Sequence, residues 1–175
     1  MEGCMSSFNS NGAESLCEGL TQLKGEHIPL LEKLHGLNHL CSKIDQNENA
    51  EENFSKLTPA VEIFMAELGP HSEREEKVLF RMMETYLGVG MGPVAVMEYE
   101  HEQAKSLIGR FLKKTSIQSE QLSLQQMKEY SSLVKNAYLT LVDHFSKEEN
   151  VLFPMAERML TNEEKSELFE KIKQI

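Results

Sequence analysis

Four histidines and two glutamates stand at core-facing positions of otherwise apolar stripes in this 175-residue chain: His27, His71, Glu75, His101, His144 and Glu148. Glu75 follows His71 by four residues, and Glu148 follows His144 by four. Such a pair shares one helix face, one turn apart. A carboxylate buried there without a partner costs several kcal/mol. A domain stable by only about 5–15 kcal/mol does not easily carry two of them, so something must neutralise the pair. Imidazole and carboxylate donors together suit iron, manganese or zinc rather than thiol-loving ions. Two glutamates bridging two such ions leave each with two imidazole nitrogens and two carboxylate oxygens. A solvent oxo or hydroxo bridge makes five ligands, which leaves an octahedral ion one open position for a small molecule such as O₂, NO or peroxide.

The elements that must position these residues are helices. Apolar residues recur at three- and four-residue spacing in four segments. The first runs Leu20, Leu23, His27, Leu30, Leu34, Leu37, Cys41, Ile44. The second runs Phe54, Leu57, Val61, Phe64, Leu68, His71, Glu75, Val78, Met82. The third runs Val94, Met97, His101, Ala104, Ile108, Phe111, and the fourth Met127, Tyr130, Val134, Ala137, Leu141, His144, Glu148, Val151, Met155. Candidate turns separate them at 45–53, 87–93 and 113–120. Thr161 and Glu164 have capping-box spacing and predict a short C-terminal helix. No sustained period-two alternation suggests a sheet. The expectation is all-α: an up-down-up-down four-helix bundle over 15–175, with a short extra C-terminal helix. Residues 1–14, rich in Ser, Asn and Gly, read as a flexible arm.

In antiparallel helices, residues at one height are equally far from the intervening turn. The midpoint of 27 and 71 is 49, that of 71 and 101 is 86, and that of 101 and 144 lies near 122. Each falls in or beside a candidate turn, so the four histidines share one layer. HSEREEKVLFRMME at 71–84 and HFSKEENVLFPMAE at 144–157 also share the pattern HxxxEExVLFxMxE. The spacings His27–His71 and His101–His144 are 44 and 43. Two similar hairpins therefore face each other, each supplying two His and one Glu.

Other polar residues fit less well. His35 and His39 lie roughly 80–120° around the helix from His27 and read as surface. Glu26 and Glu100 each precede a candidate ligand, and read as groups that orient it, as a proton path, or as a solvated face. Glu76 and Glu149 point about 100° away from the bridging pair. Pro70 and Pro154 can kink their helices beside the motifs. Tyr99 and Tyr130 read as ordinary packing and Cys41 as inert core.

The net charge of −10 argues against nucleic acid or an anionic membrane as partner. No apolar run approaches the ~20 residues of a membrane span. The N-terminus has neither a basic start nor an apolar stretch, so no secretory signal is expected. Cys4, Cys17 and Cys41 form no CxxC pair, and an odd count suits a reducing, cytoplasmic setting.

A lone His, then HxxxE, then a lone His, then HxxxE resembles the hemerythrin HHE cation-binding pattern over about residues 20–158. GMGPVAVMEYEHEQAKSLI followed by LVDHFSKEENVLFP resembles the branch of di-iron proteins that repair iron–sulfur clusters after nitric oxide or oxidative stress. The resemblance implies two iron ions, with the four histidines as terminal ligands and Glu75 and Glu148 bridging. Three features depart from it. Oxygen carriers have a second His one turn after the third-helix ligand, where this chain has Lys105. The repair proteins have a further His near the end of the first helix, where Asn47–Glu48–Asn49 stands here. The expectation is also that the repair proteins' N-terminal domain with paired cysteines has no counterpart.

Three functions follow. The first is a non-haem di-iron protein that senses, binds or detoxifies O₂, NO or peroxide, or donates iron in a stress response. The second is an enzyme, a peroxidase or NO reductase, using the same pair. The third is an interaction module in which the metal is structural.

Overall fold

The computed structural model describes residues 15–116 and 121–175. The expected arm at 1–14, and residues 117–120 of the third connection, lie outside them. Helix α1 spans Glu18–Asp45 and α2 spans Ala50–Arg74. A π-helical segment at Glu75–Leu79 runs straight from α2 into α3 at Phe80–Leu87. Helix α4 spans Gly92–Ser116 and α5 spans Leu124–Lys147. A second π-helical segment, Glu148–Leu152, joins α5 to α6 at Phe153–Met159, and α7 at Asn162–Ile172 ends the order. The four long rods pack as expected, α1 against α2 and α5, and α4 against α5 and α2.

The connections obey local chemistry. The first turn is shorter than predicted, because Asn47 and Asn49 adopt left-handed backbone (φ 60° and 43°) and reverse the chain within four residues. Asn53 Nδ2 then donates to the Glu48 and Asn49 carbonyls. Gly88 and Gly90 supply the positive φ of the second turn. Ser123 and Gln126 form a capping box on α5, and Thr161 and Glu164 form the predicted one on α7. Among the described residues, no helix is long and apolar enough to cross a membrane.

The core is split in two. One apolar cluster runs from Leu30 to Ile44, Phe54 to Leu68, Ala104 to Phe111 and Met127 to Phe145. The other gathers Leu20, Leu23, Val78–Phe80, Met83, Val94, Met97, Leu152, Phe153, Ala156, Leu168 and Ile172. Between them lies a polar layer of His27, His71, Glu75, His101, His144 and Glu148, every one buried.

The π segments alter one expectation. A π turn inserts one extra residue, so the stripe that follows it slips by one position. Val151 and Met155 were expected in the core; Val151 is 47% exposed, and Leu152 and Ala156 are fully buried instead. In the first half Met83 replaces the expected Met82. Pro154 is not the cause, because the first π segment has Arg81 at the matching place.

Helix α7 seats on α1 where Gly19 leaves no side chain. A Cβ there would lie 2.9 Å from Leu168 Cγ and 3.2 Å from Phe169 N. Gly19→Val is expected to force α7 outward at a cost of about 1–3 kcal/mol. That lowers Tm by several degrees and speeds hydrogen exchange in α7 before the rest of the bundle; unchanged exchange there would contradict this packing.

Candidate metal centre

The site begins with the repeated HxxxEE stretch. His71 and His144 lie one α turn before the π segments, and Glu75 and Glu148 open them. Each glutamate therefore faces inward with its histidine, while the extra residue turns Leu79 and Phe80, and in the second copy Leu152 and Phe153, to the core as well. The lone histidines His27 and His101 enter from α1 and α4 at the same height, as the midpoints predicted.

The inward atoms form two groups that share both carboxylates: His27, His71, Glu75 and Glu148; and Glu75, His101, His144 and Glu148. Within each group the donor atoms lie within 4.8 Å of one another. His71 Nε2 is 3.4 Å from Glu75 Oε2, and His27 Nε2 is 3.4 Å from Glu148 Oε2. His101 Nε2 is 3.5 Å from Glu75 Oε2, and His144 Nε2 is 3.2 Å from Glu148 Oε1. His101 Nε2 and His144 Nε2 are 2.8 Å apart. Metal–ligand bonds of about 2.0–2.2 Å place neighbouring donors about 3 Å apart. These separations are of the size that donors sharing one ion would show.

A second test is polar satisfaction. Both oxygens of Glu75, both of Glu148, and Nε2 of His27 and His71 are buried with no hydrogen-bond partner. Buried polar atoms are otherwise almost always paired. The orphans lie on the inward side of one layer, and a cation is the partner that carboxylate oxygen and imidazole nitrogen accept together. The donor set fits divalent metal.

On the outward side each histidine is held by a glutamate. The Nδ1–H groups donate as follows: His27 to Glu149 (2.9 Å), His71 to Glu26 (2.9 Å), His101 to Glu76 (2.7 Å) and His144 to Glu100 (3.3 Å). Every glutamate comes from a neighbouring rod, so the contacts close a ring around the bundle. Each glutamate meets a base in turn: Lys24 on Glu149 (3.3 Å), Arg74 on Glu26 (3.2 Å), Lys105 on Glu76 (2.6 Å) and Lys147 on Glu100. Such an outer carboxylate fixes the tautomer and leaves the Nε2 lone pair free. Aromatic rings complete the shell. Phe145 and Phe153 stack on His27 with centroids 4.3 and 5.6 Å away, and Phe80 tilts against His101 at 5.6 Å.

Electrostatics follow the burial. Burial, then the facing Glu148, pushes Glu75 well above the usual carboxylate range. Burial also works against charge on Glu148, but His144 and His27 beside it hold it below that range. Burial lowers His71 and His101, which favours the neutral, metal-ready ring. The hydrogen bond from His101, with Lys105 behind it, lowers Glu76 to about 2.

The sequence reading missed the ring's two strongest surprises. Glu76 and Glu149 do point away from the bridging pair, but toward the next rod's histidine rather than solvent. Their recurrence in both HxxxEE copies was the available signal. Glu26 and Glu100 are orienting groups, not a solvated face. His35 and His39 are exposed, and His35 Nδ1 lies 3.3 Å from the Tyr138 hydroxyl. Tyr99 is 62% exposed and Tyr130 packs in the larger apolar cluster. Glu48 pairs with Lys43 in the solvated first turn. Cys41 is buried, and burial pushes its thiol up to about 12.

Comparison with known proteins agrees with this geometry. Residues 18–156 match the hemerythrin HHE cation binding domain. The chain belongs to the hemerythrin family. Among curated relatives are the iron-sulfur cluster repair protein YtfE of Escherichia coli (strain K12 / DH10B) and that of Shigella boydii serotype 18. Each is 34% identical over 103 residues, covering 57% of this chain and 46% of the relative. The chain thus spans about half the length of the curated relatives it matches.

Two outcomes are expected. Glu75→Ala or Glu148→Ala sharply lowers metal content measured by elemental analysis, while His35→Ala leaves it unchanged; equal loss from all three would show that the wrong residues have been singled out. Because folded Glu76 titrates near 2 instead of the ordinary 4.5, its ionised form stabilises the fold above 4.5. That contribution disappears as pH falls toward 2. In the metal-free protein Glu76→Gln should therefore flatten the acid limb of a stability–pH curve over this window, and an unchanged slope would contradict it.

Proposed function

We propose that this chain is a non-haem di-iron protein. One iron would be held by His27, His71, Glu75 and Glu148, and the other by Glu75, His101, His144 and Glu148, the two glutamates being common to both groups. The observation that carries this reading is that the two donor groups share the same two fully buried glutamates. Bound iron supplies an open position and electron exchange for a small ligand such as O₂, NO or peroxide.

The residues of the chain prepare the site. Glu149, Glu26, Glu76 and Glu100 keep the four Nδ1–H groups engaged, which aims each Nε2 inward. Phe145, Phe153 and Phe80 cover His27 and His101 with apolar surface, which holds bulk water off the inward face. Burial and the facing Glu148 favour the protonated form of Glu75 when no cation is present. The relatives' name, iron-sulfur cluster repair, supports a repair or stress role in which this chain captures a reactive ligand or donates iron. A structural metal is the second reading, favoured by four buried carboxylate oxygens that need a cation or a proton to be stable.

The test is elemental analysis of anaerobically purified protein, followed by visible spectra before and after air and with azide or NO. Two irons per chain, near-ultraviolet charge-transfer bands in air and a change on ligand addition are expected. Zinc, or no metal, with a featureless spectrum overturns the redox reading and leaves the structural one. Repeated turnover with a reductant would mark a peroxidase or NO reductase instead of a sensor or carrier.

A further inference from the structure

The two halves repeat the histidine–glutamate–base arrangement but differ at its outer end. In the second half Lys147 donates to Glu100 and to Asp143 one turn back on its own helix. In the first half the matching residue is Arg74, which reaches a different element. Its Nη1 donates to Glu26 Oε2 at 3.2 Å, and its Nε donates to the Ile172 carbonyl oxygen at 3.2 Å. Glu26 Oε2 also accepts His71 Nδ1–H at 2.9 Å. Three hydrogen bonds thus join the last turn of α7 to the His71 ring.

The physical chemistry gives this path stiffness. The Ile172 carbonyl is one of the orphan acceptors at a helix C-terminus, and Ile175 N also approaches it at 3.4 Å. Arg74 therefore caps α7. A guanidinium presents its donors in a fixed planar fork, so carbonyl and carboxylate are gripped in one geometry. A lysine ammonium is a point charge on a flexible stem and imposes no such geometry. Helix α7 itself is set by packing: Leu168 and Ile172 are fully buried, and Gly19 admits Leu168. Once α7 leaves its seat, Arg74 loses one of its two anchors and Glu26 loses a fixed partner.

We propose that Arg74 is a positioning residue that makes the His27–His71 metal position depend on the docking of α7 more strongly than the His101–His144 position does. The inference rests on the two-metal reading above. It makes two ions with matching ligand sets unequal in lability, and any event that displaces α7 loosens one of them first.

The experiment uses the full chain loaded with cobalt(II) and challenged with excess chelator. Cobalt loss is followed by visible absorption, and the histidine N–H protons by paramagnetic NMR. Leu168→Ala and Arg74→Met should each speed the loss of one cobalt about tenfold, the low end for outer-shell changes. Each should shift the His71 N–H signal and leave those of His101 and His144 in place. Arg74→Lys, which keeps the charge but not the fork, should behave like Leu168→Ala. Lys147→Met should speed only the other cobalt, and adding Leu168→Ala to Arg74→Met should bring no further increase. Gly19→Val reaches the same seat by another contact if Leu168→Ala does not fold. Wild-type protein that takes up fewer than two cobalt ions overturns the two-metal reading, and the inference with it. Two ions bound, but lost at unchanged or equally raised rates when α7 is loosened, overturns the coupling alone.

Discussion

Two carboxylates buried side by side are the constraint around which this molecule is built. Glu75 and Glu148 are wholly inaccessible, and none of their four oxygens has a hydrogen-bond partner. Like charges in a poorly polarisable interior cannot both persist unaided. The pair must gain a proton or a cation, and the four imidazole nitrogens drawn up around it make a cation the better solution. The two apolar clusters that close the layer from either side then serve two ends. They exclude water, which strengthens every charge interaction inside, and they hold the rods at the spacing the layer requires.

The outer ring shows why the site belongs to the whole bundle and not to either hairpin. Glu26 holds His71, and Glu100 holds His144, within their own halves. Glu76 and Glu149 hold His101 and His27 across the halves. Glu148 likewise completes the donor group of His27 and His71. Half a bundle would expose the same residues without closing the ring. The bases behind the glutamates offset the charge that four outer carboxylates would otherwise concentrate there.

The internal repeat has diverged around this centre. Phe145 stacks on His27, whereas its counterpart Ser72 is buried with its hydroxyl unpartnered. Pro154 corresponds to Arg81, and Lys147 to Arg74. The inner six residues and both π segments keep the approximate two-fold. Six polar groups gathered in one buried layer tolerate little change in angle, while packing and surface partners tolerate a good deal.

The sequence by itself determined the helical class, the C-terminal helix with its Thr161–Glu164 cap, and the six residues of the polar layer. Those are consequences of periodicity and of distance from a turn, both of which are linear in residue number. Only the tertiary structure decided the rest. The one-residue slip that buries Leu152 and Ala156 in place of Val151 and Met155 comes from π turns, which a count of 100° per residue does not contain. The roles of Glu76 and Glu149 depend on which rod stands beside them, and so does the reach of Arg74 to Ile172. A contact across 25 to 122 residues is set by packing between rods, and no local spacing encodes it.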